Sequence, residues 1–164
     1  MKAPEDSPLR VIGIGQEWRG DDAAGLLVAR KLREIAGPQV TILENSGSMS
    51  DLLAAWQGAG WVILADAVRG GGRPGEIYRF PVSERPLPAE LFPATSTHAW
   101  GVAQAVALSR VLGALPPHLV VYGIEGQDFG LGREVSPEVA KAIPEVARRI
   151  RREIEELRDK ENGV

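Results

Sequence analysis

The chain has 164 residues, no cysteine, and 19 basic against 22 acidic side chains, for a net charge of -3. That length suits one domain with a substantial core, so a single domain over 1–164 is expected. The cysteine count excludes disulfides, thiolate nucleophiles and cysteine-based zinc sites, and the balanced charge leaves no electrostatic footprint for nucleic acid and no basic patch for a membrane. Any metal must therefore be held by His and carboxylates. The opening residues carry no apolar leader and no run of 18 apolar residues occurs, so a cytoplasmic protein that is not membrane-bound is expected. The basic run Arg148-Arg149-Ile-Arg151-Arg152 is balanced by Glu153, Glu155 and Glu156 and reads as a solvated helix face.

Leu9 to Ile14 is a short apolar run of the kind that forms a buried parallel strand. Gly13 and Gly15 allow close backbone approach, Gly20 ends the loop that follows the strand, and then come two carboxylates, Asp21 and Asp22, at a helix start. Neighbouring helical residues diverge by about 100°. One Asp is therefore expected to cap the helix and the other to be functional. The helix runs from Asp22 to Ile35, with apolar residues on one side, and stops at Gly37-Pro38. Gln39 to Leu43 reads as a second strand, Met49 to Trp56 as a short helix, and Trp61 to Asp66 as a central, almost continuously apolar strand.

After a Gly/Arg loop, Glu76 to Phe80 reads as a fourth strand, and Pro81 to Ala94 as a Pro-rich connection of the kind that often covers a site. Thr95-Ser-Thr-His98 supplies hydroxyl caps for a helix to about Leu112, with His98 in its first turn. His118 to Ile124 is the fifth strand, with His118 structural. Ser136-Pro137 starts a final helix whose buried stripe is Val139, Ile143, Val146, Ile150, Ile154 and Leu157, and Pro144 is expected to kink or restart it. The alternation predicts a three-layer α/β fold: a twisted, mostly parallel five-stranded sheet with helices on both faces. No helix clearly separates Asp66 from Phe80, so one antiparallel strand is allowed for.

The glycine-rich turn alone would suggest a nucleotide phosphate site, but its spacing is G-x-G-x-x-x-x-G, no Lys-Ser/Thr follows, and two acids would repel a pyrophosphate. A cation is the better guest. With sheet order 2-1-3, the crevice lies between the C-terminal ends of the first and third strands, where Asp22 and Asp66 would face each other and the helix start could deliver His98. Each has a plainer reading: an Asp at a strand end is often a turn residue, and a His near a helix start often a capping or surface residue. Glu17 and Trp18 are either loop residues or partner contacts. Together, two carboxylates and an imidazole make a three-ligand metal site with an open position.

The stretch Val11 to Gly25 resembles the N-terminal signature of the nickel-iron hydrogenase maturation endopeptidases, G-x-G-N-x-x-x-x-D-[DE]-G-x-G. Val62-Ile-Leu-Ala-Asp-Ala67, Ser96-Thr-His98, Val121-Tyr-Gly-Ile-Glu125 and Leu131 to Pro144 are similar to later segments of that family, in the same order, so the likeness spans about 9–155. Gln16 stands where the family usually has Asn, and Ala23 where it usually has Gly.

The resemblance implies an endopeptidase that clips a C-terminal extension from the hydrogenase large-subunit precursor after nickel insertion. Asp22, Asp66 and His98 match the family's metal-binding positions and are the expected catalytic residues, with Gly15 and Gln16 on the substrate side. The nickel would be supplied by the precursor, and another divalent metal could occupy the site in isolation. The partner implied is that precursor, with no nucleic acid and no membrane, and the state is monomer or homodimer. The alternatives are a protease of the same fold acting on another substrate, a metal-free carboxylate hydrolase, and a non-catalytic metal- or nucleotide-binding precursor chaperone.

Overall fold

The computed structural model describes residues 8–88 and 97–163, and the backbone alone for 97–100. The chain runs β1 (Leu9–Ile14), a 3-10 turn (Gly20–Ala23), α1 (Ala24–Ile35), β2 (Thr41–Asn45), α2 (Met49–Trp56), β3 (Trp61–Val68), β4 (Ile77–Pro81), α3 (Thr97–Val111), β5 (His118–Glu125) and α4 (Pro137–Glu161). The sheet order is β2-β1-β3-β5-β4, parallel except for β4, which pairs antiparallel with β5. The predicted 2-1-3 neighbourhood and the allowance for one antiparallel strand are both borne out.

Strand side chains alternate between the two faces, and the alternation sorts the core into two layers. Val11, Ile63, Ala65, Val120 and Ile124 face α1 and α4, meeting Val28, Leu32, Val146 and Ile150. Ile12, Ile14, Val62, Leu64, Leu119 and Val121 face the other way, meeting Leu52 and Trp56 of α2 and Val102, Ala105 and Val106 of α3. β1, β3 and β5 are apolar on both sides because helices cover both faces. Only β2 and β4 are edges.

The structure differs from the sequence reading in four places. The first helix is preceded by a 3-10 turn, so that Ala23 stands at its N-cap and neither Asp21 nor Asp22 holds that position. β3 continues two residues past Asp66, because β5 extends to Glu125 and pairs Ala67 with Ile124 and Val68 with Glu125. α4 is one helix with Pro144 inside it, so the proline does not restart it. Its buried stripe carries contacts on both sides of the proline, from Val139 to Ile154, and these hold the helix together across the missing hydrogen bond. The second strand lies at Thr41–Asn45 rather than at Gln39–Leu43, a two-residue shift at a weakly apolar edge. The expected caps Thr95 and Ser96, and residues 89–94 of the Pro-rich connection, lie outside the described residues. Among the described residues no helix is long and apolar enough to cross a membrane.

Candidate active site

The switch point between β1 and β3 is where an open α/β sheet presents a crevice at its C-terminal edge. The chain leaves β1 through Gly15, whose backbone N–H donates to the Asn45 carbonyl at 3.1 Å, and turns through residues 16–21 into α1. Close backbone packing is what the glycines here allow. A Cβ at Gly15 would stand 2.1 Å from the Asp22 carbonyl oxygen, and one at Gly25 would stand 2.1 Å from the Ile14 and 2.2 Å from the Ala65 carbonyl oxygens. The start of α1 is thus pressed onto the ends of β1 and β3, immediately before Asp66. Asp22, one turn ahead of Gly25, is buried at 6% exposure. Its carbonyl accepts from the Gln16 N–H at 3.3 Å, and the Gln16 side chain is exposed beside it.

Asp21 and Asp22 divide their work, though the structural member of the pair, Asp21, is a clasp between loops and not a helix cap. The Asp21 carboxylate is fully buried and accepts from the backbone N–H groups of Gln127 (2.7 Å), Asp128 (3.0 Å) and Ser136 (2.7 Å) and from the Ser136 hydroxyl (2.7 Å). Burial by itself would raise its pKa, but the hydrogen bonds from Asp128, Ser136 and Gln127 together outweigh it and hold Asp21 below the ordinary carboxylate value. This residue fastens the loop ahead of α1 to the loop ahead of α4. The same seam carries the Asp21 N–H to the Asp128 carbonyl at 2.8 Å, the Gly20 N–H to the Arg133 carbonyl at 3.1 Å, and the Gly132 N–H to the Trp18 carbonyl at 2.6 Å. Trp18 is held at φ 69°, in the left-handed region. For a bulky residue that conformation costs on the order of 1–3 kcal/mol and persists only where its surroundings enforce it.

Asp66 is 1% exposed and pairs with Gly123 of β5. It shares its parity with Val62, Leu64 and Val68, so it points to the α2/α3 face of the sheet. The first turn of α3 holds His98 on that face, at the same edge. Gly101, one turn later, lies so close to the loop before α2 that a Cβ there would be 2.0 Å from the Gly47 carbonyl oxygen. The backbone of His98 is therefore anchored near the C-terminal end of β2, while its side chain lies outside the described residues. Among the described residues no group of three His, Asp or Glu side chains is placed to hold a metal ion.

Glu125, at the end of β5, is 2% exposed and accepts from the Gly70 N–H at 2.9 Å and the Tyr78 hydroxyl at 3.3 Å, which ties down the loop after β3. Burial, then the Glu125 charge, push the Tyr78 hydroxyl up to about 12, so it stays a donor. Arg69 on that loop lies 4.2 Å over the Phe129 ring, which closes the rim on the β5 side. Sequence reasoning assigned no role to Glu125 and gave Ser136 only that of a helix start. The available signal was a carboxylate at a strand end for the first, and for the second a hydroxyl that reads as an ordinary helix cap. His118 lies at the opposite edge, stacked on Trp61 with ring centroids 3.6 Å apart, outside the candidate site as expected.

A rim with two buried carboxylates, one after β1 and one on the neighbouring strand β3, can bind a cation or take up a proton, since an ionised carboxylate only accepts. The model of the hydrogenase maturation protease family (HycI) matches residues 26–153. This chain belongs to the hydrogenase maturation protease family. The matched span takes in Asp66 and His98 and begins just after Asp22.

Among curated proteins the chain is similar to the hydrogenase expression/formation protein HupD of Thiocapsa roseopersicina, at 26% identity over 143 residues, covering 84% of this chain and 63% of HupD. The chain thus spans under two thirds of that relative's length. Among solved structures it is similar to the hydrogenase maturating endopeptidase HybD from E. coli, with a TM-score of 0.80 at 23% identity over 91% of this chain and 93% of HybD. It is also similar to the [NiFe] hydrogenase maturation protease HycI from Thermococcus kodakarensis KOD1, with a TM-score of 0.65 at 27% identity over 89% and 91% of the two chains. As a maturation-protease fold, the five-stranded sheet with its single antiparallel strand matches the HybD likeness.

Proposed function

We propose that this chain is the endopeptidase that removes a C-terminal extension from the large-subunit precursor of a nickel-iron hydrogenase after nickel insertion. Asp22, Asp66 and His98 then form the set that meets the precursor's nickel, and Gly15 and Gln16 line the approach of the substrate. The observation that carries this reading is the burial of two carboxylates, 6% and 1% exposed, at the β1/β3 switch point of a maturation-protease fold whose α3 begins at the same edge.

Carboxylate and imidazole donors compete poorly with thiolates for free nickel. A set of two Asp and one His is therefore suited to an ion already held by substrate cysteines, grasped through its vacant positions. The ion, when present, supplies Lewis-acid polarisation of the scissile carbonyl. The chain's own part is to orient that carbonyl and to move a proton. One of the two Asp carboxylates accepts a proton from the attacking water and returns it to the leaving amine, so that one water is consumed per bond broken.

The test is incubation with nickel-loaded and nickel-free large-subunit precursor, reading the C-terminal mass of the product. Trimming of the loaded form alone is expected, with trimming abolished in Asp66→Asn and His98→Ala. Equal processing of both precursors would remove nickel sensing from the account. Unchanged trimming by the two variants would remove the site.

A further inference from the structure

Among the described residues the buried acidic side chains are Asp21, Asp22, Asp66 and Glu125. Asp21 is the clasp between two loops, and Asp22 and Asp66 belong to the proposed reaction. That leaves Glu125, 2% exposed at the last rung of the β3–β5 ladder, where it is paired with Val68. A carboxylate is costly to bury unless hydrogen bonds compensate it, so its bonds show what holds it there.

We infer that Glu125 is a positioning residue for Asp66: by clamping the end of β3 it sets where the Asp66 carboxylate meets the scissile bond. The inference rests on the protease reading above, in which Asp66 takes part in the reaction.

β3 pairs with β1 only as far as Gly13 and Ala65, whereas it pairs with β5 through Val68. Asp66 is the first residue past the β1 ladder, so from there on β3 has a strand partner on one side alone. Glu125 closes this one-sided stretch. Its carboxylate accepts from the Gly70 N–H at 2.9 and 3.2 Å, one contact to each oxygen. Its own N–H donates to the Glu76 carbonyl at 2.9 Å, and its carbonyl accepts from the Gly75 N–H at 2.8 Å. The turn that follows β3, from Gly70 to Gly75, is thus fastened at both ends to one residue. The Gly126 N–H, next in the chain, donates to the Val68 carbonyl at 3.0 Å. From β4 the Tyr78 hydroxyl braces the same carboxylate at 3.3 Å, and the turn lies so close over it that a Cβ at Gly72 would stand 2.4 Å from that hydroxyl oxygen.

Glu125 shares the parity of Leu119 and Val121, which places it on the same face of the sheet as Asp66. Two rungs apart on neighbouring strands, the two residues have Cα atoms about 8 Å apart at ordinary strand spacing. The Glu125 oxygens are turned to Gly70 and Tyr78, so the influence on Asp66 passes through the backbone of β3. Such an influence is large enough to matter, because a misplacement of about 1 Å at a reacting group can cost on the order of 100-fold in rate.

The experiment uses the full-length chain and nickel-loaded large-subunit precursor, with three variants of Glu125. Glu125→Asp keeps the acid but withdraws it by one methylene from the Gly70 N–H, while Glu125→Gln keeps the length and one acceptor oxygen. Glu125→Ala and Glu125→Asp should lower kcat at least tenfold with KM within twofold, and Glu125→Gln should restore kcat to within threefold of the unsubstituted chain. If Glu125→Ala does not fold, the contrast between the Asp and Gln variants decides. A kcat for Glu125→Asp within threefold of the unsubstituted chain overturns the positioning role, as does a Gln variant as slow as the Asp one or a rise in KM that matches the fall in kcat. Hydrogen exchange at the Gly126 amide reads the clamp without substrate. At least tenfold faster exchange is expected in Glu125→Asp, with the first half of β3 unchanged, and unchanged exchange at Gly126 overturns the clamp whatever the activity. If the unsubstituted chain fails to trim while Gly126 exchange responds, the hold on β3 stands and the protease reading falls. If trimming needs Asp66 but is indifferent to Glu125→Asp, the positioning role falls and the protease reading stands.

Discussion

The Asp21 carboxylate accepts hydrogen bonds from both the backbone N–H and the hydroxyl of Ser136, at 2.7 Å each, across 115 positions of chain. It is the clasp between the loop that leads to Asp22 and the loop that leads to α4. Removing it takes the acceptor from three backbone N–H donors, those of Gln127, Asp128 and Ser136.

Asp21→Ala is therefore expected to destabilise the fold by roughly 3 kcal/mol, since several hydrogen bonds to one charged group are lost together. For a chain of this size that is a fall in Tm on the order of 10 °C. Asp21→Asn should also lose stability, because its amide N–H2 faces donors. Urea denaturation measures both, and a loss near zero would show that the clasp is redundant.

The same carboxylate has a pH signature. Its pKa is held below the ordinary value of 3.8, so its contribution is fully present above that pH and is lost as pH falls through the lower, folded-state value. The acid limb of unfolding in the unsubstituted chain should thus carry a component that is absent from Asp21→Asn. Identical acid limbs would contradict the assignment.

His118 gives a second, separate pH effect. Burial beside Trp61 depresses its pKa below 6.5, so the unfolded chain takes up the proton first and stability declines as pH falls from about 6.5 toward the folded-state value. His118→Phe preserves the stack and removes the titration. Between pH 7.5 and pH 5.5 the unsubstituted chain should lose more stability than this variant, by urea midpoint, and an equal loss would remove His118 as the source.

Gly25→Ala places a methyl 2.1 Å from one backbone oxygen and 2.2 Å from another, on two different strands. Neither can move without breaking its ladder, so a loss of about 3 kcal/mol is expected. The start of α1 must lift, carrying Asp22 away from the rim, and trimming activity should fall further than stability does. Near-normal activity in this variant would mean that Asp22 need not be seated tightly.

Asp66→Asn keeps the volume and the hydrogen-bonding reach of the side chain while removing its charge. Loss of a carboxylate that binds a cation or carries a proton should lower trimming roughly 100-fold or more. The variant should still unfold cooperatively, because the β3 ladder with β1 and β5 is untouched. A variant that trims normally would exclude a role for Asp66 in the reaction.

The amino-acid sequence by itself determined the order of elements, the central place of β3 and the pairing of Asp22 and Asp66 as candidates. Apolar periodicity and glycine punctuation are local properties, readable along the chain. Tertiary structure alone decided how the adjacent Asp21 and Asp22 divide. Two neighbouring carboxylates have the same local propensities, and the donors that claim Asp21 belong to Gln127 and Ser136, 106 and 115 positions away. It also decided that β3 continues past Asp66 and that α4 runs through Pro144. In both cases contacts with β5 and the sheet outweigh the preference of a single residue. A chain can announce which side chains are chemically able to meet, but which of them are diverted into holding the structure depends on partners brought near only by folding.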